Sequence, residues 1–142
     1  MTDYISKSTI DISAPRESVW HALTDLESLS KVMFGSTIET TWEVGTPILY
    51  KGEWEGKSFE DKGIIVEFRE PTLLRTTHFS PMSGQPDVPE NYHPLDFQLD
   101  DIETGTRVTL TQANNPSEEA AKHSDENWSM ALNTLKEVAE AS

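Results

Sequence analysis

The stretch STIDISAPRESVWHALTD, residues 8–25, changes from the pattern of a strand to that of a helix within two residues. Ile10 and Ile12 alternate with polar residues, which is typical of a half-buried strand. After Pro15 the apolar residues recur at helical spacing, at Val19, Trp20 and Leu23. The stretch therefore predicts a strand that passes directly into a short helix.

The composition predicts one domain of ordinary size. The chain has 142 residues, so we expect a single domain over residues 1–142. It contains no cysteine, which excludes disulfides and a thiol nucleophile and fits a reducing compartment. No apolar run approaches the roughly 20 residues of a membrane span, and the N-terminus lacks the layout of a signal peptide. We therefore expect a cytoplasmic protein with no membrane span.

Acidic residues dominate the charge. The chain has 25 Asp and Glu against 11 Lys and Arg, a net charge of −14. Affinity for nucleic acid and for anionic lipid depends on Lys and Arg that neutralise phosphates. We therefore expect no nucleic-acid partner, and we interpret the acidity as the surface of a soluble monomer.

Six further segments carry the polar–apolar alternation of strands. Short links with turn residues separate most of them, which favours antiparallel pairing of neighbours. Gly63 interrupts the third of these segments and predicts a bulge or a sharp bend there. The segments are residues 36–42, 46–56, 58–71, 72–80, 92–102 and 105–115.

The C-terminal segment predicts one long amphipathic helix from Ser117 to Ala141. Asn115 is the predicted N-cap, with Pro116 in the first helical position and Glu118 in the third. A single sheet has one apolar face to cover, and only this helix is long enough to cover it. Its apolar stripe consists of Trp128, Ala131, Leu132, Leu135 and Val138.

Three parts of the chain resemble the START-like (SRPBCC) superfamily, which has the helix-grip fold of the birch-pollen allergen. They are IDISAPRESVWHALTD (10–25), GIIVEFREPTLLRTT (63–77), and GTRVTLTQANN (105–115) with NWSMALNTLKEV (127–138). Within the superfamily they are most similar to the heat-shock-protein-90 ATPase activator homologues. The resemblance implies an α+β fold, in which a curved seven-stranded antiparallel sheet wraps around the long helix and two short helices follow the first strand. It also implies that Trp20 packs where the short helices support the long one.

The resemblance further implies an internal cavity between the sheet and the long helix. The predicted inner faces are rich in aromatic and apolar residues, which suits an apolar ligand, while small residues of the helix leave space. The same residues could instead pack a solid core. The candidate cavity residues are Trp42, Tyr50, Trp54, Val66, Phe68, His78, Met82, His93, Phe97, Leu110, Gln112, Ala121, Ser124 and Trp128.

Two histidines fall on the predicted inner face of neighbouring strands, His78 and His93. They could form an acid/base pair, or they could be polar groups that orient a ligand. The phases of the strands place no carboxylate beside either ring and no third ligand for a metal, so we expect neither catalytic residues nor a metal site. His21 and His123 lie among polar neighbours and are predicted to be on the surface.

Gln112 and Asn114 extend the inner face of the last strand, where they could bind a carbonyl or hydroxyl group of a ligand. Alternatively, Asn114 supports the helix cap. The loop from Ser80 to Asn91 is long for a link between adjacent strands, and Met82 could contact a ligand at a cavity mouth. The chain lacks G-x-G-x-x-G, G-K-[ST] and G-x-S-x-G motifs, so we expect no cofactor.

Three functions remain open from the sequence. The first is a binding protein for an apolar or aromatic small molecule, such as a lipid, a polyketide or a phenolic compound. The second is a cyclase- or dehydratase-type enzyme on the same scaffold, supported by His78, His93 and Tyr50. The third, implied by the family resemblance, is an interaction module that stimulates a chaperone ATPase. We favour the first, because only three residues support the second and only the family name supports the third, and fold alone does not determine function.

Overall fold

The alternating segments form seven strands and the helical segments form three α-helices. The computed structural model describes residues 4–54, 56–81, 84–115 and 117–141. The elements are β1 (Tyr4–Ile12), α1 (Arg16–Thr24), α2 (Leu26–Val32), β2 (Thr37–Thr40), β3 (Pro47–Trp54), β4 (Lys57–Arg69), β5 (Leu73–His78), β6 (His93–Ile102), β7 (Gly105–Asn115) and α3 (Glu118–Ala141).

The seven strands form one antiparallel sheet in the order β1-β7-β6-β5-β4-β3-β2. Neighbours along the chain are neighbours in the sheet, except that β1 pairs with β7. The sheet curves around α3, so the helix-grip fold expected from the sequence is confirmed. None of the described helices is both long and apolar enough to cross a membrane.

The change from strand to helix at Pro15 forms a corner of the scaffold. The carbonyl of Pro15 accepts the first hydrogen bond of α1, from Val19 N at 3.2 Å. Trp20 on α1 is 3% exposed, and its ring meets that of Phe68 edge-on with centroids 5.1 Å apart. Trp20 is therefore a packing residue.

The long helix α3 is attached to the sheet by its apolar stripe and by polar contacts with β1. Ala131, Leu132 and Leu135 are at most 1% exposed. Asp125 accepts hydrogen bonds from Ser6 Oγ at 2.6 Å and from the backbone N–H of the next residue at 2.8 Å. These contacts fix the helix across the inner face of the sheet.

The cap of α3 differs from the predicted one. The side chain of Ser117 accepts a hydrogen bond from Ala120 N at 3.0 Å, so Ser117 caps the helix. Asn115 is instead buried at the end of β7, and Pro116 lies outside the described residues. Asn114 is exposed and has a positive φ of 61°. A shift of register at this end of β7 turns Asn115, rather than Asn114, towards the interior.

A bulge in β4 changes which of its residues face the interior. The register with β5 shifts between Ile65 and Glu67, so Ile65 is fully buried while Val66 is 43% exposed. The prediction that Val66 faces the cavity is therefore wrong, because the extra residue of a bulge reverses the alternation. Gly63 lies before the bulge, where a Cβ would stand 1.7 Å from the carbonyl oxygen of Thr77.

Candidate ligand-binding site

A cavity of about 740 Å³ lies between α3 and the inner face of the sheet. Its walls come from the turn after α2, from β3 to β7, and from the first half of α3. Several of the residues that line it are exposed and form a mouth open to solvent. The mouth includes Phe34, Glu53, His123 and Met130.

Aromatic side chains form much of the interior wall. Tyr50 is only 5% exposed, and its ring meets that of His78 edge-on with centroids 5.5 Å apart. Phe79 stacks on Tyr92 with centroids 5.0 Å apart, which fixes one side of the cavity. Phe59 and Trp128 complete this apolar surface.

The two histidines are brought together as the sequence predicts. His78 and His93 are directly opposite each other in the β5–β6 register, and both line the cavity. Nδ1 of His93 lies 3.2 Å from the carbonyl oxygen of Ala113. A carbonyl only accepts, so Nδ1 carries a proton, and Nε2 of the neutral ring carries none. Burial, helped by the nearby His78, lowers the pKa of His93, which favours this neutral ring.

A carboxylate lies beside His78, contrary to the expectation that neither histidine has one. Asp61 Oδ2 is 3.2 Å from Nε2 of His78. The carboxylate accepts, so Nε2 of His78 is the nitrogen that donates. Asp61 faces inward because the bulge at Val66 reverses the phase of the preceding residues of β4. The pair fixes the tautomer of His78, as orienting carboxylates do for working histidines.

The charge of Asp61 also acts on Tyr50. Burial raises the pKa of the Tyr50 phenol, and the nearby Asp61 carboxylate raises it further. The Thr76 hydroxyl opposes this rise. Tyr50 is therefore a neutral phenol in this cavity, not a phenolate.

A polar network joins α3 to β7 along one wall of the cavity. Trp128 Nε1 donates to Gln112 Oε1 at 2.6 Å, and Gln112 Nε2 donates to Asn115 Oδ1 at 3.1 Å. Ser124 Oγ donates to the same oxygen of Asn115 at 3.3 Å. Asn115 in turn donates to the carbonyl of Tyr4 at 2.9 Å. The network holds this wall of the cavity in one arrangement.

Apart from the exposed Val66, the predicted cavity residues separate into three groups. The structure places Tyr50, His78, His93, Gln112, Ser124 and Trp128 around the cavity. It places others in the packed interior away from the cavity lining: Trp42, Phe68, Phe97, Leu110 and Ala121. The side chain of Trp54 and the whole of Met82 lie outside what the structure describes.

Trp42 illustrates the second group. Its Nε1 donates to the carbonyl of Thr24 at 2.9 Å, and its ring packs against Phe68 with centroids 5.8 Å apart. It therefore joins the end of α1 to the sheet instead of facing a ligand. Sequence reasoning missed Phe59, Asp61 and Phe79, which all line the cavity.

The described residues contain no group of three or more His, Asp or Glu side chains that could hold a metal ion. The chemistry of the cavity is that of hydrogen bonding and aromatic contact, with one carboxylate–histidine pair.

Comparisons with known proteins place this geometry in a family. The chain is similar to a protein of Cytophaga hutchinsonii whose solution structure is known, with 44% identity, a TM-score of 0.83, and coverage of 96% of this chain and 94% of that one. A crystal structure of a Chromobacterium violaceum protein is 20% identical, with a TM-score of 0.79 and 96% of each chain covered. No curated protein matches the chain.

The solution structure of the Aha1 dimer from Colwellia psychrerythraea is also similar, with 23% identity, a TM-score of 0.73, and coverage of 99% of this chain and 97% of that one. The Chromobacterium and Colwellia proteins, at 20% and 23% identity, are evidence of a shared fold alone. The family model described as "Activator of Hsp90 ATPase homolog 1-like protein" matches residues 13–140, nearly the whole chain. The chain therefore belongs to the activator of Hsp90 ATPase homolog 1-like family of the START-like superfamily, whose scaffold is in general a ligand-binding one.

Proposed function

We propose that this protein binds a small apolar or aromatic molecule in the cavity between the sheet and α3. The observation that carries the proposal is the composition of the cavity wall. Aromatic side chains from β3, β4 and α3 surround a volume of about 740 Å³, and polar groups from β5, β6 and β7 converge on it. This volume is within the range of small-molecule sites, which typically combine aromatic and apolar walls with convergent polar groups.

The polar groups give the ligand an orientation. Gln112 is held by Trp128 and Asn115, while His78 is held by Asp61. Side chains fixed in this way lose little freedom when a ligand binds, so the site is preorganised. A hydroxyl or carbonyl on an otherwise apolar ligand suits these groups.

Native mass spectrometry and ligand-observed NMR test the proposal directly. The freshly purified protein is examined for a retained mass, and a set of phenolics, polyketide-like compounds and long-chain alcohols is screened for binding. Ser124→Phe places a ring in the cavity and should abolish binding. Glu126→Phe adds the same ring at an exposed position of α3 that does not line the cavity and should leave binding unchanged. Equal binding by both variants would contradict the proposed site.

The contact between His78 and Asp61 favours a second candidate, an enzyme that uses His78 as a general base. With Nε2 donating to Asp61, Nδ1 is the atom that would accept a proton. Time-resolved NMR of each bound compound separates the two functions. An enzyme would consume the compound, and His78→Gln would slow the conversion about 100-fold or more while binding persisted.

The family name suggests a third role, stimulation of a chaperone ATPase, which a steady-state ATPase assay with the purified chaperone would test.

We propose a monomer as the state of the isolated protein, supported by the net charge of −14. Because one structural neighbour is described as a dimer, light scattering after gel filtration is the measurement that decides this point.

A further inference from the structure

The charges around the cavity are all of one sign. Asp61 lies inside and Glu53 at the mouth, whereas no Lys or Arg from the described part of the chain lines the cavity. An anion that entered would meet no cation there. The protein as a whole, at −14, also repels anions that approach it.

The charge of Asp61 is only partly compensated. Oδ2 contacts His78, but Oδ1 is buried and has no hydrogen-bond partner among the described residues. A buried carboxylate oxygen without a donor is unfavourable. Burial is the main cause of the raised pKa of the Tyr50 phenol, and the Asp61 carboxylate, which lines the same cavity, raises it further.

The other histidine does not supply the missing positive charge. Burial lowers the pKa of His93, so its ring is neutral near pH 7. His123 lies at the exposed mouth. The interior therefore combines an undercompensated carboxylate with aromatic walls, and both attract a cation.

We infer that the cavity selects a ligand that carries a protonated amine on an apolar or aromatic body, and discriminates against carboxylates of the same shape. This inference rests on the proposed function, because it concerns the ligand of the same cavity. The ammonium group would compensate Asp61 and lie against the aromatic wall, where Tyr50 and Trp128 offer cation–π contacts. A fatty acid, in contrast, would bring its carboxylate towards that of Asp61.

Three probes with one aromatic body test this inference: naphthylethylamine, naphthylethanol and naphthylpropanoate. Their Kd values are measured for the wild-type protein by calorimetry and ligand-observed NMR at low ionic strength. We expect the amine to bind about tenfold tighter than the alcohol or more, and the carboxylate to bind more weakly than the alcohol. This comparison needs no variant, so it decides the question even if a substitution at Asp61 disturbs folding.

Asp61→Asn should make the amine and the alcohol bind equally. Glu126→Gln, at an exposed position of α3 that does not line the cavity, is the matched control and should change their ratio less than about twofold, because an exposed charge outside the cavity contributes little. If the alcohol binds as tightly as the amine, or the carboxylate binds most tightly, the inference is wrong while the proposed function stands. If none of the three probes binds, the inference is wrong. The proposed function is also wrong only if the screen of phenolics, polyketide-like compounds and long-chain alcohols finds no binder either.

Discussion

Replacing Gly63 by alanine should destabilise the fold by forcing β4 and β5 apart. The added Cβ would stand 1.7 Å from the carbonyl oxygen of Thr77, whereas real Cβ contacts are not shorter than 3.0 Å. The strands must therefore separate by at least about 1.3 Å at this point. The obstacle is backbone, so no rotation of a side chain relieves it.

Three hydrogen bonds cross the strands close to this position. Ile64 N donates to Thr77 Oγ1 at 3.0 Å, and Lys62 and Phe79 exchange two backbone bonds of 3.0 and 2.7 Å. Separation weakens or breaks them at about 1 kcal/mol each. The alanine methyl also lowers the conformational entropy of the unfolded chain, which offsets about 0.4–1 kcal/mol of this destabilisation. We expect Gly63→Ala to lower the free energy of unfolding by about 2–3 kcal/mol.

Gly52→Ala is the matched control. Its Cβ would meet the ring of Phe59 at 2.7 Å, but a ring beside a cavity can turn away. We expect Gly52→Ala to lower the free energy of unfolding by less than about 1 kcal/mol. Urea unfolding followed by tryptophan fluorescence measures both variants, and we expect one cooperative transition with equal m-values. If Gly63→Ala is no less stable than Gly52→Ala, the close approach of β4 and β5 is not a constraint on this fold.

Three further predictions concern the core, the histidine and the charge. Leu135→Ala should lower the free energy of unfolding by about 2–5 kcal/mol, and Trp128→Ala should lower it by less. The reason is that Leu135 is fully buried, while Trp128 is half-buried beside a cavity. A larger loss for Trp128→Ala in urea unfolding would contradict this prediction. Because the folded state resists protonation of His93, stability should fall as the pH drops below 6.5. His93→Gln should flatten that dependence, which urea midpoints from about pH 7 to 5 would reveal. Fluorescence anisotropy should detect no binding to duplex DNA at physiological salt, and a salt-sensitive micromolar complex would refute the charge argument.

The periodicity of the sequence predicted a sheet with one long helix over it, and the family resemblance supplied the helix-grip arrangement. Alternation in seven segments and one long apolar stripe determine a sheet with a single helix over it, and Pro15 marks the corner. The cap of α3 was missed by two residues because Asn115 and Ser117 are both good capping residues. Only tertiary contacts decide between them: the Asn115 side chain is occupied by Gln112 and by the carbonyl of Tyr4.

The site could be predicted only in part, because one bulge reverses the faces of a whole half-strand. Counting back by twos from Phe68 places Asp61 and Phe59 outside, whereas the extra residue at Val66 brings them inside. The run Ile64-Ile65-Val66 was the signal, since three consecutive apolar residues break the alternation. His78 and His93 lie on strands without such a shift between them, so their pairing was predicted correctly.

The pairing of β1 with β7 has a consequence for how the chain is made. The pairing joins residues that are far apart along the chain; Asp11 and Arg107, for example, are separated by 96 positions. During synthesis β1, α1 and α2 leave the ribosome before the other strands, and β1 has no partner strand while β2 to β6 form hairpins with their neighbours. Closure of the sheet is therefore the late, slow event of folding. In that interval the exposed strand is open to pairing with another nascent chain, and the net charge of −14 opposes such pairing by mutual repulsion.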